Sequence, residues 1–361
     1  MEIVKLNRQK LNDFIHSEEY KTIPHIPISF HRGISHINNP RISEEDILLI
    51  LVYETELIGY LGIVPDFINI NNQPDKIGWM SCIWIHPKAR GKGIAKLLTQ
   101  TCIELYSNKI FCTEFTPEAE TLYNNLNAFD PLVSKTGVRI FRRSCLETVI
   151  PSRFPKITFI LPLLSLYDAT VNVAHDIFLK KRNKFSKPYS IEIVNEPEES
   201  CFYLANNLQK NELTKRLKKE FDWFYNYPWI KETPSLTTES KRYHFTSEAR
   251  RFKTITVKIK QNIELIAFLV VTIREKHMKT PYIYVIPGHE QVVAETINNL
   301  MHEHKIDILT TYQTSITSNY SSCISYLNSK IIIRKYLQSK GFNINISQNQ
   351  IQDGDGDCGF V

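Results

Sequence analysis

Apolar positions along the first half of the chain switch period from helical to strand-like and back. Residues 7–17 space them three and four apart, which predicts an amphipathic helix. A stretch rich in loop formers, PHIPISFHRGISHINNPRISEED, follows with its prolines and three histidines. ILLILVYETELIGYLGIV then reads as a hairpin, two apolar runs joined at Glu54-Thr55-Glu56. GWMSCIWIHP predicts a third strand, and a glycine-bearing turn leads from it into a helix, IAKLLTQTCIELY. KIFCTEF predicts another strand and PEAETLYNNL another helix.

The second half repeats this outline. TVKIKQNIELIAFLVVTI is again a hairpin, with LIAFL aligned on LIGYL at 57–61. PYIYVIPGHEQVVAETINNLMHEHKIDILTTYQ then gives strand, turn, helix and strand with two residues fewer in the turn. Residues 151–190, entered through Pro151, Pro155 and Pro162, read as a helical connector. The expected organisation is two mixed-sheet α/β domains in tandem, 1–150 and 191–361, on either side of that connector. A length of 361 residues suits two domains.

Composition narrows the class. With 42% hydrophobic and 23% charged residues, each half can build a core. The most apolar run, ITFILPLLSLYDATVNVAHDIF, holds Pro162, Asp168 and His175, which argues against a membrane span. The polar opening does not read as a signal peptide, so a soluble, cytoplasmic protein is expected. Seven cysteines with no C-x-x-C pair fit reduced, buried thiols and no zinc site. Net charge is a mild +6, compatible with anionic ligands. The basic runs at 180–184 and 215–219 read as solvated helix faces, and no nucleic-acid partner is expected.

The most informative segment is His86-Pro87-Lys88-Ala89-Arg90-Gly91-Lys92-Gly93-Ile94-Ala95, between the end of a strand and the start of a helix. Glycines there allow main-chain N–H groups to converge, and the positive end of the helix adds to them, forming an anion cradle. Arg90 and Lys92 can add charge-assisted contacts, and Ala95 allows close approach.

This segment resembles the coenzyme A signature of the Gcn5-related N-acetyltransferases, with Arg90, Gly93 and Ala95 at its fixed positions. The resemblance covers residues 1 to about 145 and implies the acyl-CoA N-acyltransferase fold, with acetyl-CoA as cosubstrate and no metal. It further implies that amides of Arg90, Gly91, Lys92, Gly93, Ile94 and Ala95 hold the pyrophosphate. The preceding strand, Ile83, Trp84 and Ile85, would pair with the pantetheine arm and offer an amide to the thioester carbonyl. Thr116 stands where relatives often carry an asparagine near that arm. Ala119-Glu120-Thr121-Leu122-Tyr123 resembles the family's A-x-x-L-Y segment and makes Tyr123 the expected acid for the leaving sulfur. Asn127 replaces the usual helix-ending glycine, a position asparagine tolerates.

A base is less evident, since Trp79, Ser81 and Cys82 occupy the strand that carries a glutamate in many relatives. Glu114 and Asp66 are the carboxylates considered for it. The expected function is transfer of an acetyl group to a primary amine of a small molecule, with an amino sugar or nucleotide-linked amino sugar as the candidate acceptor. The sugar idea rests on the aromatic run 221–229 and the mild positive charge. Two rivals are an acyl-CoA sensor without turnover and an aminoacyl-tRNA-dependent peptide-bond former, which generally lacks the cradle.

His25, His31 and His36 lack metal-ligand spacing and read as loop histidines. Asp353-Gly354-Asp355-Gly356-Asp357 opens like a calcium loop, but the chain has no glutamate at the twelfth position. The second copy's turn, Pro287-Gly288-His289-Glu290, lacks the basic double-glycine cradle, so that copy is expected not to bind coenzyme A.

Overall fold

The structure is a computed structural model describing residues 1–70, 73–154, 159–179, 188–356 and 358. The basic run at 180–184, residues 155–158 and 180–187 of the 151–190 connector, and Asp357 lie outside the described residues.

Strand β1 (Glu2–Leu6) opens the chain, and Asn7 caps helix α1 (Arg8–His16) by accepting the Lys10 amide at 3.1 Å. Helices α2 (Glu18–Thr22) and α3 (Phe30–Ile37) follow. The stretch expected to be loop therefore contains α3. β2 (Leu49–Tyr53) and β3 (Leu57–Ile70) form the expected hairpin. β3 and β4 (Gln73–Ile85) run further than the apolar pattern suggests, staying paired from Ile70↔Gln73 to Gly59↔Ile85. Then come α4 (Ile94–Leu105), β5 (Ile110–Thr113), α5 (Pro117–Leu126) and β6 (Phe129–Phe141).

β2 explains the unbroken apolar run. Leu49 and Leu51 enter one core with Leu11, Ile15 and Ile26. Ile50 and Val52 enter another, on the opposite face, with Leu98 and Cys102 of α4. A strand covered on both faces has no polar side to show.

The chain continues through α6 (Leu146–Arg153), α7 (Leu161–Leu179), β7 (Tyr189–Val194), α8 (Glu199–Leu208) and α9 (Lys218–Asn226). A two-strand ribbon, β8 (Lys231–Glu232) and β9 (Glu248–Ala249), brackets α10 (Thr238–Arg242). β10 (Phe252–Gln261), β11 (Glu264–Arg274), β12 (His277–Val285), α11 (Glu290–Glu303) and β13 (Ile308–Thr311) repeat the hairpin–strand–helix–strand order. Two single-turn helices, α12 (Thr314–Thr317) and α13 (Tyr320–Cys323), precede β14 (Asn328–Ser339).

Two compact units result, but they are not the contiguous halves expected. The first comprises 1–135, 196–253 and 334–361; the second comprises 136–195 and 254–333. The boundary thus falls inside β6 and β14. In the first unit the strand order is β1-β2-β3-β4-β5, then the 334–339 part of β14 and the 129–135 part of β6. In the second it is the 136–141 part of β6, then β13-β12-β11-β10-β7. Each unit contains a parallel pair joined by a helix: β4 with β5, and β12 with β13.

Charge ties segment 196–253 into the first unit. Arg216 donates to both oxygens of Asp66, at 3.1 and 2.8 Å, and Arg41 donates to Asp66 at 2.6 Å. Arg41 also holds Glu220 at 2.9 Å, Arg216 reaches Asp355 at 3.3 Å, and Trp79 Nε1 donates to Asp66 at 3.2 Å. All of these side chains are buried. Arg216 is therefore no part of a solvated basic face, contrary to the expectation for 215–219. Lys135 pairs with Asp353 at 2.8 Å, so the acidic C-terminal turn meets protein cations. Burial works to raise the Asp66 pKa, but the Arg216 and Arg41 guanidiniums outweigh it and hold the carboxyl below 3.8.

Asp66→Asn should lower unfolding free energy by about 3–5 kcal/mol in urea titrations at neutral pH, as expected when a buried ion cluster loses its anion. Because the folded pKa is depressed, that contribution is fully present above the unfolded value near 3.8. It disappears as pH falls through the folded value, so the variant and the parent should converge in acid.

Candidate active site

The turn after β4 is built by local rules. His86 accepts the Lys88 amide at 3.2 Å and starts a short 3₁₀ turn, Pro87–Ala89. Gly91 and Gly93 then take φ of +81° and +80°, the left-handed region, with open space where a Cβ would stand. Gly93 is the N-cap of α4. The amides of the first helical turn have no acceptor within the helix, and the helix dipole adds positive potential there. Ala89 and Ile94 are buried beneath the turn. A Cβ on Gly59 would meet Ile94 Cγ2 at 2.9 Å, so glycine in β3 lets α4 settle on the sheet. Arg90 and Lys92 are exposed, and Lys92 pairs with Glu54 of the hairpin turn at 3.4 Å.

The cavity beside the turn arises from two departures in β4. Tyr60 pairs with Trp84 but Gly62 with Ser81, so one extra residue of β4 faces Leu61. This bulge coincides with Cys82, whose φ is +53°. Beyond Gly78↔Ile110 and Trp79↔Phe111, β4 and β5 no longer pair. A cavity of about 280 Å³ opens there, with Ser81, Cys82 and Ile83 on one wall and Cys112 to Thr116 on another.

Tyr123 lies in this wall, buried, with its ring against Phe115 (5.7 Å) and Phe129 (5.0 Å). It is presented by α5, which Thr116 caps by accepting the Ala119 amide at 3.3 Å. Asn127 ends the helix at φ +47°, filling the glycine position as the sequence allows. Glu114 also lines the cavity, at φ +51°, and its carboxylate is ion-paired with Arg334. Asp66 does not belong here. It is absent from the cavity lining and its oxygens hold Arg41, Arg216 and Trp79, so the expectation that it faces the cleft as a base is corrected. The Trp84 side chain points into the first core, stacked on Tyr60 and on His244 (4.3 Å).

Sequence reasoning missed Arg32. From α3 it reaches the cavity and stacks on the Trp229 ring at 3.8 Å. It donates to Ser81 Oγ (2.7 Å), Cys82 Sγ (2.9 Å) and Tyr243 OH (3.0 Å). Trp229 Nε1 in turn donates to Ser35 Oγ at 3.0 Å. His36, stacked on the same indole, has its pKa pushed down to about 3 by burial and by Arg32, so it stays neutral. His31 bonds to the Trp229 carbonyl oxygen at 2.8 Å, and His25 sits 3.1 Å from His244. The three histidines thus act as packed or hydrogen-bonded groups of the first unit. In the aromatic run, Phe221, Trp223 and Phe224 are buried, and only Trp229 reaches the cavity. Only the spacing of Arg32 and His36, one helical turn apart, could have hinted at this face.

The second unit has a different turn. Gly288, at φ +94°, donates its amide to Glu290 of the same turn at 2.9 Å. An internal carboxylate fills the place of an external anion.

Residues 14–129 match the model of the acetyltransferase (GNAT) family. The matched residues lie within the first unit. No curated protein matches the chain in sequence. Saccharomyces cerevisiae N-myristoyltransferase with bound myristoyl-CoA is similar at TM-score 0.53 and 9% identity, covering 96% of this chain and 84% of that one. A conserved Enterococcus faecalis V583 protein described as a probable N-acyltransferase is similar at TM-score 0.51 and 10% identity, covering 94% and 72%. A tandem GNAT protein from the clavulanic acid biosynthesis pathway gives TM-score 0.47 at 11% identity, covering 95% and 99%. At such identities the likeness to the first two is one of fold.

Gly93→Val places a branched side chain at φ +80°, a conformation that costs a non-glycine residue roughly 1–2 kcal/mol or more. Calorimetry should find coenzyme A affinity reduced by about tenfold or more, since each 1.4 kcal/mol is tenfold. Gly288→Val should leave that affinity unchanged.

Proposed function

We propose that the protein is an N-acyltransferase that moves an acetyl group from acetyl-CoA to a primary amine of a small molecule. The observation that carries this reading is the opening between β4 and β5, which follows directly on a glycine turn suited to a diphosphate and has Tyr123 in its wall. Amides and cations of residues 90–95 would bind the pyrophosphate, and the β4 edge from Ile83 to Ile85 would align the pantetheine arm. Thr116, at the head of α5, borders the same channel.

Each step of the transfer then has a candidate group. The amine must arrive neutral, because an ammonium with a pKa of roughly 10 has no free lone pair. As it attacks, negative charge builds on the thioester oxygen, and a main-chain N–H of the β4 edge near Trp84 or Ile85 would be the donor in kind. The departing thiolate takes a proton from the Tyr123 hydroxyl. For the amine proton, the part of β4 that lines the cavity, Met80 to Ile83, offers Ser81 and no carboxylate, while Glu114 is bound to Arg334. Water is the simplest exit. Of the aromatic run behind the sugar idea, Trp229 lines the cavity and carries Arg32 on its ring. A non-catalytic sensor would have no use for a hydroxyl at Tyr123, which favours the enzyme reading.

Thiol release from acetyl-CoA across a panel of amines tests the proposal; no release with any amine, by protein that binds coenzyme A, would leave the sensor. With an active amine, Tyr123→Phe should lower kcat by roughly 10²-fold, the scale of a lost general acid, with little change in coenzyme A affinity. Glu114→Gln should keep the same rising pH–rate limb as the parent; its disappearance would make Glu114 the base.

A further inference from the structure

Helix α7 of the second unit is mounted with its polar side inward. Asp168 accepts the Glu147 amide at 2.9 Å and the Ser144 hydroxyl. Asn172 accepts the Ser144 amide at 2.8 Å and donates to the Ser144 carbonyl oxygen at 2.9 Å. Asp176 is ion-paired with Arg143 at 2.6 Å. Residues 168, 172 and 176 share one helical face, and Asp168 and Asn172 are buried. Turning the helix over would break every one of these bonds.

The opposite side is apolar and open. Phe159, just before the helix, and Leu163, Leu166, Tyr167, Val173 and Ile177 are each more than half exposed. Between 161 and 177 no exposed residue of α7 is charged. The helix is about 28 Å long at 1.5 Å per residue. Six large side chains so exposed offer on the order of 600 Å² of apolar surface, as much as the largest patch of a typical monomer. The chain then continues into Lys180-Lys181-Arg182-Asn183-Lys184, four positive charges in five residues.

We infer that α7 docks on the surface of an anionic bilayer, with its apolar stripe in the headgroup–acyl boundary. The covalently attached basic run complements acidic headgroups, and a bilayer offers negative charge and hydrocarbon side by side. No helix among the described residues is long and apolar enough to cross a membrane, so this helix lies in the plane of the surface.

Co-sedimentation of the full chain with vesicles of phosphatidylcholine and phosphatidylglycerol in equal parts tests this. Binding is expected, and it should weaken by about tenfold or more with pure phosphatidylcholine or in high salt, as screening removes the headgroup attraction. Leu166→Glu and Val173→Glu lie on the exposed face; each should weaken binding by about tenfold or more while melting temperature and coenzyme A affinity stay put. Failure of the parent protein to pellet with anionic vesicles would overturn the inference. So would unchanged binding by either variant, or a dimer that ignores vesicles and that Leu166→Glu turns into a monomer.

Discussion

Everything at the candidate active site depends on two parallel strands that pair for two residues and then part. β4 and β5 meet at Gly78↔Ile110 and Trp79↔Phe111 and diverge beyond. Each strand is anchored on its outer side: β4 along β3, and β5 on β14 through Tyr336↔Thr113, Leu337↔Cys112 and Gln338↔Phe111. The gap therefore has rigid banks. Beyond that point the two strands no longer pair with each other, and an opening of this kind suits an extended ligand gripped by main-chain hydrogen bonds. The bulge at Cys82 and the left-handed Glu114 stand on its two sides, where backbone irregularity serves a purpose.

Around that gap the molecule spends buried charge to hold remote segments. Asp66 of β3 collects Arg41 from the loop after α3 and Arg216 from the far segment 196–253. The same segment supplies Trp229, on which Arg32 lies. A carboxylate with two guanidiniums and an indole N–H has no lone pair to spare for catalysis, so structural and chemical duties fall to different residues. Arg32 connects the two regions: it touches β4 at Ser81 and Cys82 and is backed by Tyr243 and Trp229, both from 196–253.

What was legible in the chain was local. The hairpin, the strand leading into the glycine turn, α4 and α5 all announce themselves through periodicity, glycine placement and caps over a dozen residues. The parallel pair in each unit follows from the strand–helix–strand order. Long-range choices left no such mark. Nothing near Asn328–Ser339 says that half of this strand completes the first unit beside β5, and nothing near Arg216 says that its partner is Asp66, 150 positions earlier. Arg32 was hidden because proline and histidine neighbours disguise α3 as loop. The helix at 161–179 read only as part of a connector, and nothing in the sequence shows that Leu163, Leu166, Tyr167, Val173 and Ile177 stand exposed.

The self-capped turn of the second unit has a thermodynamic corollary. Gly288 spends its amide on Glu290, so that turn is complete in the empty protein. Among the described residues, no carboxylate accepts an amide of the first unit's glycine turn, although Glu54 pairs with the Lys92 side chain. A diphosphate ligand binding there adds stability by mass action, in proportion to the logarithm of its concentration over its dissociation constant. The two turns of this tandem chain would then respond differently to cellular coenzyme A: one firmed by abundance of the ligand, the other indifferent to it.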